Sequence, residues 1–154
     1  MLPNPEPQIS VRLAVEDQLP WINARYDEVG FRHSQFPSET IAVALIDEEP
    51  CGLGRLVRIT PRVAELGGIY VFPDFRGKGI AREIVGFLLS KSGAFQTVYC
   101  LPFAHLTSFY CGFGFTPSSP EDPALPPDII EKLNWCNCTY GHETILLKLW
   151  RGDA

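Results

Sequence analysis

From Val71 to Arg82 the chain reads Val-Phe-Pro-Asp-Phe-Arg-Gly-Lys-Gly-Ile-Ala-Arg. Gly77 and Gly79 bracket Lys78, and Arg76 and Arg82 stand on either side. Glycines let a ligand approach the backbone closely. The first amide N–H groups of a helix have no intrahelical partner, and the helix dipole adds partial positive charge there. Arginine and lysine contribute full charges. The chemistry of such a turn is anion binding, of a phosphate above all. A Walker A loop is excluded because Lys78 is followed by Gly79 and Ile80 rather than by Ser or Thr. A dinucleotide fingerprint is excluded because its third glycine position holds Arg82.

The turn has to be held by the elements on either side of it. Val63–Val71 reads as a strand, with the pair Gly67-Gly68 in its interior. Paired glycines in a strand predict a bulge or a place where something packs on bare backbone. Gly79–Lys91 reads as a helix, with Ile80, Ile84, Phe87 and Leu88 as its apolar stripe. Upstream, Ile9–Val15 alternates as a first strand, and Asp17 is placed to cap a helix through about Val29, stopped by Gly30. Phe31–Glu39 reads as a loop. Thr40–Ile46 and Cys51–Ile59 form a hairpin across Asp47–Pro50. Downstream come a strand at Thr97–Leu101, a short helix at Ala104–Cys111, and a strand starting near Phe113. A proline-rich loop at Ser118–Pro127, a helical turn at Ile129–Leu133 and a last strand at Thr144–Trp150 complete the chain. This order predicts a mixed sheet with helices on both faces.

Two segments together resemble a known family. Arg76, Gly79 and Ala81 set the pattern Arg-x-x-Gly-x-Ala after Val71-Phe72-Pro73, and Phe109-Tyr110-Cys111-Gly112-Phe113-Gly114-Phe115 follows at the expected distance. They resemble motifs A and B of the GNAT superfamily of acyl-CoA-dependent N-acyltransferases, over roughly residues 41–115. The resemblance implies a mixed, mostly antiparallel sheet of six to seven strands, splayed at the acyl-CoA site. It implies acetyl-CoA as co-substrate, with Arg76, Gly77, Lys78, Gly79, Ile80 and Ala81 around its pyrophosphate. Ile69, Tyr70 and Val71 would pair with the pantetheine arm and turn an N–H toward the thioester. Tyr110 stands where the family places the acid that protonates the departing thiolate, and Glu65 where some members carry the base. Each position also suits a structural residue: a core tyrosine among Phe109, Phe113 and Phe115, and an outward-facing strand carboxylate. The family often has an asparagine near the strand-to-helix step, where this chain reads Pro102-Phe103-Ala104-His105. His105 there would cap, pack or touch the cofactor. Asp27, Glu28, His33 and Glu39 border what is the acceptor pocket in the family, as amine ligands or as a solvated face.

Composition bounds the rest. The chain's 154 residues suit one domain at 9–154 behind a loose proline-rich tail at 1–8. A net charge of −5 argues against a nucleic-acid binder. Met1–Pro5 lacks the look of a signal peptide and no apolar run would span a bilayer, so a cytoplasmic protein without a membrane partner is expected. Five cysteines are an odd number for a disulfide framework, and Cys136-Asn137-Cys138 lacks the second ligand pair of a zinc site, so no metal is expected. C-terminal aromatics and edge strands would allow a homodimer. The expected activity is transfer of an acetyl group from acetyl-CoA to a primary amine by direct attack on the thioester. The alternative is a non-catalytic acyl-CoA-binding module on the same fold.

Overall fold

A computed structural model describes residues 8–152, so the expected N-terminal tail lies outside the described residues except for Gln8. Among the described residues, seven strands and four helices follow in the order β1 (Ile9–Leu13), α1 (Leu19–Asp27), β2 (Glu39–Ile46), β3 (Glu49–Thr60), β4 (Val63–Val71), α2 (Ile80–Ser90), β5 (Thr97–Cys100), α3 (Thr107–Cys111), β6 (Thr116–Pro117), α4 (Pro127–Thr139) and β7 (Leu147–Trp150). The strands make one sheet in the order β1-β2-β3-β4-β5-β7-β6. β1 runs antiparallel to β2, and β7 runs antiparallel to both β5 and β6. β4 and β5 are parallel, with pairs from Val63↔Thr97 to Leu66↔Cys100. The β2–β3 turn is tighter than the expected Asp47–Pro50. Only Asp47 and Glu48 form it, with φ of 48° and 69°. Two consecutive positive φ values suit a two-residue hairpin whose twist matches the strands.

The chain divides into two compact units. One holds the described residues up to Arg55 with Gly68–Lys91, and the other holds Leu56–Gly67 with the described residues from Ser92 on. In the first, Ile22 and Tyr26 of α1 pack with Ile41, Val43 and Leu45 of β2, Leu53 of β3 and Tyr70 of β4. Each large apolar side chain removed from water contributes about 1.5–3 kcal/mol. α2 buries Ile80, Ile84, Val85 and Leu88. It approaches β3 closely because Gly54 has no side chain: a Cβ there would overlap Ile84 and lie 2.9 Å from Ile69 Cδ1. In the second unit, Tyr99, Leu125, Ile129, Leu133 and Leu146 form the core.

Several boundaries differ from expectation. Asp17 does not cap α1; it sits in a preceding 3-10 turn, Glu16–Gln18, and Pro20 occupies the first turn of the helix. Ala104–Leu106 is likewise a 3-10 turn leading into α3. The expected helical turn at Ile129–Leu133 is a 13-residue helix. Its buried positions Ile129, Leu133 and Cys136 keep helical spacing, which Asn134 and Asn137 obscured in the sequence. β7 starts at Leu147, three residues later than expected, and Thr144 instead makes an isolated bridge to Phe103.

Candidate active site

The first unit holds the turn expected to bind an anion. Gly77 has φ of 81° and Gly79, at the N-cap of α2, has φ of 79° and ψ of 16°. Both angles lie where a side chain costs energy, so the glycines are required by the backbone itself. A Cβ at either position would meet nothing within 4 Å, so the backbone faces open space. Arg76, Lys78 and Arg82 are exposed, while Ile80 is buried and Ala81 half-buried. Left-handed glycines next to free helix amides form a concave set of N–H donors for an anion. The buried Ile80 and Ile84 anchor the helix beneath it.

Upstream of the turn, β4 is irregular at one residue. Gly68 has φ of 60°, the left-handed conformation inside a strand. Its missing side chain leaves room for Tyr26 Oη and Arg55 Nε, which would lie 2.7 and 2.8 Å from a Cβ. Ile69 and Val71 are half-buried, and Tyr70 is buried in the core. The Tyr70 hydroxyl donates to Glu28 Oε1 at 3.0 Å. Burial, then the hydrogen bond and charge of Glu28, raise the Tyr70 phenol above its ordinary value, and the charge of Arg76 opposes them.

The expected acidic group near α1 is divided. Asp27 pairs with His33 Nε2 at 2.7 Å in solvent, and Glu28 pairs with Arg25 at 3.1 Å. Glu39 is buried instead, and its Oε2 accepts from the Gln35 N–H at 3.0 Å. Arg55, in an otherwise apolar stretch of β3, is also buried. Its Nη1 donates to Arg32 O at 2.8 Å and to Ser34 Oγ at 2.6 Å.

The second unit holds Glu65 and Tyr110. Glu65 is buried and accepts a hydrogen bond from Lys132 Nζ of α4 at 2.6 Å, with the two side chains 5% and 17% exposed. A charge so far from water needs a partner. Lys132 was not expected from the sequence, yet there was a signal for it: it follows Ile129 by three residues, on the buried stripe of α4. Tyr110 is buried between the edges of Phe109 and Phe115, at centroid distances of 4.9 and 6.1 Å. Burial first, and then the nearby Cys100 thiol, raise its phenol well above the usual tyrosine value. It is therefore a proton donor at neutral pH. Cys100 is itself held protonated, mainly by burial and secondarily by the Glu65 charge. His105 packs rather than caps: its ring stacks on Phe103 at 6.0 Å and meets His142 at 5.6 Å. Cys136 is buried and Cys138 exposed, because two residues along a helix turn a side chain to another face. Among the described residues, no helix is long and apolar enough to cross a membrane.

The model of the acetyltransferase (GNAT) family matches residues 10–115. No protein of curated function matches the sequence. Solved structures share the fold at low identity. N-acetylglutamate synthase from Neisseria gonorrhoeae, complexed with coenzyme A and L-arginine, aligns with a TM-score of 0.70 at 14% identity, over 94% of this chain and 34% of that one. The present chain thus spans about a third of that enzyme's length. Rv2747 from Mycobacterium tuberculosis, in complex with CoA, aligns at 0.71 with 20% identity over 92% and 98% of the two chains. The ribosomal-protein-S18-alanine N-acetyltransferase of Escherichia coli aligns at 0.69 with 15% identity over 96% of each.

Proposed function

The chain belongs to the acetyltransferase (GNAT) family, and from that premise we propose that it moves an acetyl group from acetyl-CoA to a primary amine of a small molecule or peptide. The observation that carries this reading is the turn from Arg76 to Ala81, with two left-handed glycines at the N-terminus of a well-anchored helix. Its open backbone and three exposed cations fit a pyrophosphate. In this reading acetyl-CoA supplies the activated acyl group, and the chain's residues bind, aim and move protons. Backbone N–H groups of Gly77, Gly79, Ile80 and Ala81 take the pyrophosphate, and Arg76 and Lys78 add charge. Ile69, Tyr70 and Val71 offer strand hydrogen bonds to the pantetheine arm. One of their N–H groups stabilises the carbonyl oxygen as it becomes negative. Tyr110 donates a proton to the departing thiolate, and Glu65 receives one from the ammonium. The residues from 9 to 154 serve as a single catalytic domain.

One observation favours the second reading, a non-catalytic acyl-CoA-binding module. Glu65 is engaged by Lys132 in a buried pair, an arrangement that also makes sense as structure alone. Calorimetry with CoA and a thiol-release assay with acetyl-CoA over a panel of amines separate the two. Binding with thiol release on at least one amine is expected. Binding without release across the panel would establish the module reading, and absence of binding would remove both.

A further inference from the structure

The carbonyl of Gly68 is held from outside its strand. Gly68 is left-handed, with φ of 60°, and its oxygen accepts a hydrogen bond from Tyr26 Oη at 2.7 Å. The donor comes from α1, 42 residues away in sequence, and is fully buried. The Arg55 guanidinium lies 4.5 Å from the centroid of the same tyrosine ring and is anchored on Arg32 O and Ser34 Oγ. Arg55 also fills the space beside Gly68, so a side chain there would meet its Cγ at 3.1 Å.

The peptide group that joins Gly68 to Ile69 is planar and trans, so its C=O and N–H point in opposite directions. Any group that fixes the Gly68 oxygen therefore aims the Ile69 N–H. From this geometry we infer that Tyr26, braced by Arg55, is a positioning residue that sets the direction of the Ile69 N–H. The inference rests on the proposed activity in one respect: there, this N–H is among the donors to the thioester carbonyl. Tyr26 suits the task. Burial raises its phenol well above the ordinary tyrosine value, the charge of Arg55 opposing and that of Glu39 adding to it. Its hydroxyl is thus a donor at neutral pH. The Arg55 guanidinium over the ring packs Tyr26 in place.

The test is Tyr26→Phe, which removes one oxygen and retains the ring. With wild-type protein active on some amine, kcat of the variant should fall about tenfold while CoA affinity changes less than twofold, because a misaimed donor weakens only the transition state. In ¹⁵N-resolved NMR the Ile69 amide should shift while the Gly77 and Gly79 amides stay in place. An unchanged kcat, or CoA affinity falling in step with kcat, would overturn the inference. If wild-type protein releases thiol with no amine, the proposed activity fails, and the amide shift alone decides: an unmoved Ile69 resonance would overturn the aiming role by itself.

Discussion

The Gly77–Gly79 turn enlists backbone, whereas the region around Glu65 enlists side chains from four elements. In the turn, the groups proposed to hold the anion are chiefly N–H groups whose direction follows from local φ and ψ, with Arg76 and Lys78 adding charge. Around Glu65 of β4, the neighbours are Lys132 of α4, Cys100 of β5 and, through Cys100, Tyr110 of α3. A backbone site tolerates changes of side chain but not of conformation. A side-chain cluster has the opposite tolerance, since removing one member strands the others. The difference teaches where each site is fragile.

The largest effect should come from breaking the cluster. Lys132→Met would leave the Glu65 carboxylate buried without its cation, and urea unfolding should show a loss of about 3–5 kcal/mol. A loss under 1 kcal/mol would mean that the pair is not the cluster's foundation. Tyr110→Phe should come next. Turnover should fall about 100-fold, the low end of what a general acid supplies, with CoA affinity retained in calorimetry. Unchanged turnover would return Tyr110 to the role of a core aromatic.

Gly79→Ala probes the turn. In the protein alone a methyl there meets open space, so only the left-handed angle is penalised, by about 1–2 kcal/mol in a melting experiment. CoA affinity should drop at least tenfold, well beyond what that strain explains. Equal affinity would dissolve the contrast between backbone and side-chain sites. The smallest effect is expected from pH. Tyr26 and Tyr110 both hold their protons more tightly when folded than in the unfolded chain, where tyrosine titrates near about 10. Their contribution to stability is therefore fully present below about pH 10 and is lost as pH rises through the folded values. Stability followed by circular dichroism should show no tyrosine-linked step between pH 7 and 9 and a decline above about 10.

Legibility in the sequence followed the same division. The strand around Gly67-Gly68, the turn and the stripe Ile80, Ile84 and Leu88 were readable because each depends on residues a few positions apart. The irregularity expected at the glycine pair falls on Gly68. The full length of α4 was obscured by polar residues between its buried positions, so its pattern looked like a single turn. Arg55 and Lys132 were missed, although a charged residue in an apolar strand run or on a buried helix stripe is a sign of a fixed partner.

By itself, the sequence determined the family, the order of most elements and the left-handed backbone of the turn. These rest on glycine's conformational freedom, on apolar periodicity and on motif spacing, all of which are local. Only the tertiary structure decided that Glu65 faces Lys132, that Tyr26 reaches the Gly68 carbonyl and that Asp27 and Glu39 part company. Those pairings join residues 67 and 42 positions apart, or separate residues that are near in sequence. Which side chains meet is set by how the elements pack, and packing is a property of the folded core rather than of any one segment.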